Sequence, residues 1–201
     1  MGLKRLLHAG CGSRLNTPPR EFAAFKETRL DCNPMVGPEI LASIVAMPMV
    51  RDDSFDAVFC SHTLEHLFAH EVAMALAEFR RVLLPGGELV VSTPDLQSIG
   101  GKLALDQADY VLYQSAIGPI TALDVLYGHR GSIVAGNAFM GHKTGFTSSV
   151  MKAALAAAGF TKIEVERDPN PNAAFQLNAR ARKSEASAAA ALDETCLVGM
   201  A

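Results

Sequence analysis

Between residues 3 and 95, short apolar runs alternate with one long helical stretch, and most of the runs break off at glycine, proline or an acidic residue. Residues 3–9 (LKRLLHA), 28–32 (TRLDC), 40–46 (ILASIVA) and 55–60 (FDAVFC) have the length and apolar content of strands. Residues 69–83 (AHEVAMALAEFRRVL) instead place Val72, Leu76, Phe79 and Leu83 at helical spacing, and Pro85-Gly86-Gly87 stops the helix before the strand-like ELVVSTP. Strand, helix and strand in this order predict an α/β fold, a mostly parallel sheet with helices on both faces. Sheets of this kind bind ligands beyond the carboxyl ends of their strands. The chemistry is therefore expected at Gly10 to Ser13, Asp31, Ala46 and Met47, Ser61 to His66, and Thr93 to Asp95.

The second half continues the pattern. Residues 147–160 (TSSVMKAALAAAGF) start on a Thr or Ser cap, run on Ala and Leu, and end at Gly159, so a helix is predicted there. TKIEVER and AFQLNARA follow as strands, and the intervening DPNPN predicts an antiparallel hairpin. Beyond Arg182 no periodic core pattern remains, so 183–201 is expected to be a loosely attached tail to a single domain of residues 1–182.

Composition narrows the class. With 49% hydrophobic and 19% charged residues, the chain reads as an ordinary globular domain. The opening MGLKRLLHAG is too short an apolar run for a signal peptide, and no stretch reaches the ~18 to 20 apolar residues of a membrane span, so a cytoplasmic protein without a membrane partner is expected. A net charge of -3 with no basic stripe argues against a nucleic-acid partner. Cys11, Cys32, Cys60 and Cys196 form no C-x-x-C pair and are expected to be reduced thiols.

HAGCGS ends the first strand with Gly10 and Gly12, whose missing side chains allow a tight turn and close approach to a ligand. Asp31 follows about 20 residues later at the end of the next strand, where a carboxylate can accept from both hydroxyls of a ribose. A dinucleotide fingerprint would need a third glycine opening a long helix, yet Pro18 and Pro19 stand there, which disfavours pyrophosphate binding.

In their order and spacing, LLHAGCGS, LDCNP, DDSFDAVFCSHTLEHL, EFRRVLLPGGELVVSTPD, HKTGFT and LAAAGF resemble the class I S-adenosylmethionine-dependent methyltransferases, in particular the small-molecule group called methyltransferase type 11. The resemblance covers most of residues 3–95 and resumes at about 142–181. It implies a Rossmann-like seven-stranded sheet of order 3-2-1-4-5-7-6 with the last strand antiparallel. It also implies S-adenosylmethionine as cofactor, left as S-adenosylhomocysteine. The implied cofactor contacts are His8, Gly10, Cys11, Gly12, Asp31, Cys32, Ala46, Met47, Ser61 and His62. Two positions depart from the family pattern: His8 stands where an acid usually holds the ammonium end, and Ala46, Met47 and Pro48 stand where an acid usually meets the adenine.

His62-x-x-Glu65-His66 also matches an inverted zinc-peptidase motif, which needs both histidines as ligands, the glutamate as base and a third ligand elsewhere. Within the methyltransferase pattern the same residues read otherwise: Glu65 in the first turn of a helix, His66 packed, and no metal ligand set. Residues 96–141 match none of the core motifs and hold Tyr110, Tyr113 and Tyr127, so they are expected to form a substrate lid or a homodimer contact. His62, His129 and His142 are the candidate general bases, with Asp95 orienting the acceptor. The expected function is methyl transfer to a small-molecule acceptor; a catalytically inactive cofactor-binding module and a zinc hydrolase are the alternatives.

Overall fold

The computed structural model describes residues 2–115, 118–168 and 175–185. Its strands are β1 (Arg5–Ala9), β2 (Lys26–Asp31), β3 (Ile40–Leu41), β4 (Phe55–Ser61), β5 (Leu83–Pro94), β6 (Val111–Ser115), β7 (Gly118–Thr121), β8 (Phe160–Arg167) and β9 (Gln176–Lys183). All but β6 and β7 join one seven-stranded sheet in the order β3-β2-β1-β4-β5-β9-β8. Strand β9 runs antiparallel to β5 and β8, and the other pairings are parallel. Counted within the sheet alone, this is the expected order 3-2-1-4-5-7-6. The helices are α1 (Ala69–Val82), α2 (Leu96–Leu103), α3 (Ala122–Tyr127), α4 (Arg130–Val134) and α5 (Ser148–Ala157).

Strand alternation sorts the core. Leu7, Ala9, Val58, Cys60, Leu89 and Val91 point to one face, where Val72, Leu76 and Phe79 of α1 and Met151 and Leu155 of α5 cover them. Leu6, Ala57, Phe59 and Val90 point to the other, where the cover is a single 3-10 turn at Arg20–Phe22 that brings in Phe22 and the adjoining Phe25. The helices therefore flank the sheet unevenly. The physical reason is the Pro18-Pro19 linker between β1 and β2, which leaves no room for a long helix, and the polar second face of the distal strands, where Ser92 hydrogen-bonds Asn178 (2.9 Å).

Other expectations need correction in extent. The strand expected over 40–46 lasts two residues. After Leu41 the chain turns, with a bridge between Ser43 and Ala46, because Met47 and Val50 must enter the core. Arg81 on α1 secures that descent by donating to the carbonyls of Met47 (3.0 Å) and Val50 (2.7 Å), while Glu78 accepts from the Met47 amide at 2.6 Å. Pro85-Gly86-Gly87 does not precede the strand but lies within β5, where the register against β4 shifts between Phe55 and Ala57. Lys183, expected in the tail, ends β9 and donates to Asp53 at 2.6 Å. Most of DPNPN and residues 186–201, including Cys196, lie outside the described residues. Among those described, Cys11, Cys32 and Cys60 are free thiols.

The Glu78–Arg81 pair gives a pH-dependent stability. Hydrogen bonding from Arg81 holds the Glu78 carboxyl below its ordinary value, despite some burial. A group depressed on folding stabilises the fold above its unfolded pKa and loses that contribution as pH falls through the folded value. Wild type is therefore expected to be more stable than Glu78→Gln at neutral pH, by about 1 kcal/mol. That margin should shrink below about pH 4; urea titrations across pH check it, and a margin independent of pH would refute the pairing.

Candidate functional site

The first turn after β1 is built on backbone geometry. Gly10 and Gly12 both have positive φ (68° and 56°), and the amides of Gly10 and Cys11 donate to the Leu30 carbonyl at 2.8 and 3.0 Å, which locks the turn onto β2. A Cβ on Gly10 would lie 2.2 Å from Thr63 Oγ1. Gly10→Ala therefore meets both a left-handed backbone and a collision, whereas Gly37→Ala, at φ 61° with open space, meets the backbone cost alone. Gly10→Ala is expected to lower the melting temperature clearly more than Gly37→Ala, and equal losses would show that the turn can move away from Thr63.

A buried guanidinium holds this turn from behind. Arg29 on β2 donates through Nη2 to the carbonyls of Cys11, Gly12 and Ser13 (3.0, 3.1 and 2.8 Å), and through Nη1 to that of Asn16 (3.2 Å) and to Glu27 (3.0 Å). His8 Nδ1 lies 2.7 Å from the same Glu27 oxygen, and burial pulls its pKa down despite that carboxylate. At the end of β2, Asp31 accepts from Gly12 N through Oδ2 and from Asn33 N through Oδ1, both at 2.8 Å. Each oxygen keeps lone-pair capacity toward the adjoining space.

That space is a cavity of ≈ 860 Å³ along the carboxyl edge of the sheet. Gly10, Gly12, Asp31, Cys32, Ser61, His62, His129 and His142 line it, together with Ser43 and Ile44. Other expected contacts do not. His8 faces Glu27 behind the turn, and Cys11 is buried with its carbonyl on Arg29. Ala46 and Met47 are displaced because β3 ends five residues earlier than expected: Met47 is fully buried in the core, and Ser43 and Ile44 stand at the cavity in their place. Asp95 is also fully buried. It caps α2 by accepting from Gln97 N (3.0 Å) and Ser98 Oγ (2.6 Å), and it pairs with Arg167 (2.7 Å), so it does not reach an acceptor.

Several described residues of 96–141 also line the cavity. Ile99, Ile120, Ala122 and Val125 make a small core of their own, and Tyr113, Ile120, Asp124, Val125, Phe139 and Met140 turn toward the cavity. Asp124 forms a capping box with Thr121 and accepts from Arg130 Nε at 2.9 Å. Burial alone would raise its carboxyl, but these donors hold it well below the ordinary carboxylate range. His129 caps α4, with Nδ1 accepting from Ser132 N at 3.1 Å.

His-x-x-Glu-His adopts a form the sequence did not suggest. Residues Leu64–His66 are a 3-10 turn and α1 begins only at Ala69, so Glu65 is not in the first turn of that helix. Its side chain is 1% exposed, and neither carboxylate oxygen has a hydrogen-bond partner. His62, at φ 48° and 48% exposed, turns away from a shared helical face with His66. Its Nε2 meets Gln176 Oε1 at 2.8 Å, and its Nδ1 approaches Glu65 at 3.3 Å without hydrogen-bond geometry. Burial lowers the His62 pKa, but the Glu65 carboxylate outweighs it and the net shift is upward.

The HKTGFT segment returns to this turn. The amides of Lys143 and Thr144 donate to the Glu65 carbonyl (2.8 and 3.2 Å), which sets His142 against His66 with ring centroids 4.8 Å apart. His66 Nδ1 faces the Gly141 carbonyl (3.2 Å) and His142 Nδ1 the Val125 carbonyl (2.9 Å). A carbonyl can only accept, so each ring carries its proton on Nδ1 and keeps the Nε2 lone pair free.

Comparison with known proteins agrees with this architecture. A profile of the family described as "Methyltransferase domain" matches residues 7–91. No curated protein matches the chain. Among solved structures, the chain is similar to Burkholderia thailandensis 1,6-didemethyltoxoflavin-N1-methyltransferase, bound to 1,6-didemethyltoxoflavin and S-adenosylhomocysteine (19% identity, TM-score 0.58, 91% of this chain and 72% of that one). It is also similar to S-adenosylmethionine-dependent methyltransferases from Thermotoga maritima (16%, 0.59, 92% and 84%) and Mesorhizobium loti (22%, 0.56, 90% and 91%). At such identities the likeness concerns the fold. The chain has the class I S-adenosylmethionine-dependent methyltransferase fold, with the methyltransferase domain family matched over residues 7–91.

Proposed function

We propose that the protein transfers a methyl group from S-adenosylmethionine to a small-molecule acceptor, as one domain of residues 1–182 in which 96–141 form the lid. The observation that carries this reading is a single cavity with the Gly10–Gly12 turn and the Asp31 carboxylate at one side and the inserted segment at the other. The residues fit the cofactor. Asp31 has acceptor capacity left for two ribose hydroxyls, the glycine turn brings bare backbone to the cavity, and Ile44 offers an apolar wall for the adenine. The volume lies in the ~300 to 1,000 Å³ range of small-molecule sites, which is room for a ligand of the cofactor's class.

When bound, the cofactor supplies a methyl carbon on a sulfonium sulfur: the acceptor atom bonds to that carbon, the carbon–sulfur electron pair stays on sulfur, and the acceptor loses its proton. The chain's task is then alignment and exclusion of water, and alignment alone can contribute roughly 7 to 11 kcal/mol. Ser61, which ends β4, and the adjoining His62 line the cavity and are the residues proposed to meet the methyl end of the cofactor, with the 96–141 segment as the proposed lid. Of the three imidazoles on the cavity wall, His62 is held by Gln176 and Glu65 and His129 Nδ1 by the Ser132 amide, so His142, with Nε2 free, is the one proposed to take up a proton. Among the described residues no helix is long and apolar enough to cross a membrane. Calorimetric titration with S-adenosylmethionine and S-adenosylhomocysteine tests the reading: one site per chain for both is expected, and a folded sample that binds neither would overturn it.

A further inference from the structure

We infer that Glu65, His66 and His142 form a binding site for one divalent first-row transition-metal ion on the cavity wall. One donor atom from each of the three lies within 4.8 Å of the others. Ligands of a tetrahedral ion with bonds of ~2.1 Å stand roughly 3.4 Å apart, so small side-chain rotations close the site.

Three independent features point to an ion rather than to chance proximity. First, Glu65 is 1% exposed and neither oxygen makes a hydrogen bond; His62 Nδ1 at 3.3 Å compensates its buried charge only in part, which leaves the carboxylate able to bind a second cation. Second, both imidazoles have a nitrogen available for ligation: each commits Nδ1–H to a backbone carbonyl, Gly141 for His66 and Val125 for His142, and leaves Nε2 free. This is the outer support that metal-binding histidines generally have. Third, the tertiary structure builds the set from two distant segments, since the paired bonds from Lys143 and Thr144 to the Glu65 carbonyl fix His142 beside the turn that carries the other two.

Two imidazoles and a carboxylate suit Zn²⁺, Mn²⁺, Fe²⁺ or Co²⁺, and disfavour Ca²⁺, which prefers an all-oxygen shell. Three protein ligands leave at least one coordination position, and the cavity is the open side. An acceptor hydroxyl bound there would give up its proton more readily, and with His142 a ligand that proton would pass to solvent. This assignment to an oxygen acceptor rests on the methyltransferase reading; the metal site itself does not. It also differs from the zinc-hydrolase arrangement, since His62 is outside the set.

The test uses the full chain stripped of metal with a chelator, titrated with Co²⁺ by visible absorption and with Zn²⁺ by equilibrium dialysis. One ion per chain is expected in wild type, and Glu65→Gln and His142→Asn should each lose at least about 100-fold in affinity. X-ray absorption of the wild-type zinc form needs no variant and should show two imidazoles in the coordination shell. The inference is overturned if wild type binds no ion at millimolar Co²⁺ or Zn²⁺, if both variants bind as tightly as wild type, or if the shell lacks imidazole. Titrating the same sample with S-adenosylhomocysteine separates this failure from a failure of the cofactor reading.

Discussion

Asp31→Ala should lower the affinity for S-adenosylhomocysteine by about 100-fold or more. Hydrogen bonds to a charged acceptor are worth roughly 1.5 to 3 kcal/mol each, and two ribose hydroxyls would lose theirs together. The same carboxylate also receives the Gly12 and Asn33 amides, so part of the loss would come through a loosened turn. Asp31→Asn separates the two contributions. It keeps one acceptor oxygen and the side-chain shape but loses the charge, and an intermediate loss is expected. Calorimetry on the three proteins, with their melting temperatures, decides the matter: equal affinity in wild type and Asp31→Ala would show that the ribose is held elsewhere.

The second large effect is expected at a residue that would touch no ligand. Arg29→Met removes the donor for four backbone carbonyls of the turn and leaves Glu27 without its cation. Losing one partner of such a buried network typically costs about 3 kcal/mol or more. For a chain of this size that corresponds to a melting temperature lower by about 10 °C. Arg29→Lys should rescue little, because a single ammonium cannot serve carbonyls that a planar fork reaches from two directions. Cofactor affinity should fall in parallel, since the turn is the cofactor's proposed floor. A melting temperature within about 2 °C of wild type would show that the turn holds itself.

These two positions show how unevenly the site could be read from residues in order. Asp31 stands out because the end of the second strand is where a ribose partner is needed, and the spacing from the glycine turn singles it out. Arg29 does not stand out: in TRLDC it is one charged residue in a strand, and its five acceptors come from β2 and from a loop that begins far back in the sequence. The only available signal was a charge beside Leu30 at a position that alternation sends into the protein. The adenine side failed for a different reason. Apolar residues from Ile40 to Met47 look like one strand, but their burial comes from two sources, sheet pairing up to Leu41 and packing against α1 from Ile44 onward. Hydrophobicity alone cannot distinguish these, so the strand's end, and with it the cavity-lining residues, was displaced toward Met47.

Asp95 and Glu65 make the complementary point. Both are carboxylates at the carboxyl edge of the sheet, and order along the chain puts them in equivalent settings. Asp95 finds Gln97, Ser98 and Arg167 and becomes structural, whereas the buried Glu65 carboxylate makes no hydrogen bond and has His62 Nδ1 beside it at 3.3 Å. Arg167 is 72 residues from Asp95, and His142 is far from Glu65 in sequence.

The order of the strands across the sheet followed from the family resemblance; the residues alone carried the succession of strands and helices along the chain, the positions of α1 and α5, and the glycine turn with its following acid. Those features rest on periodicity, capping and backbone freedom, all local properties of a few neighbouring residues. Which side chains meet came from the three-dimensional fold: Arg29 beneath the turn, Ser43 and Ile44 at the cavity, and His142 beside Glu65 and His66. Contacts of that kind depend on where distant segments cross, and residue spacing along the chain carries no information about the crossing.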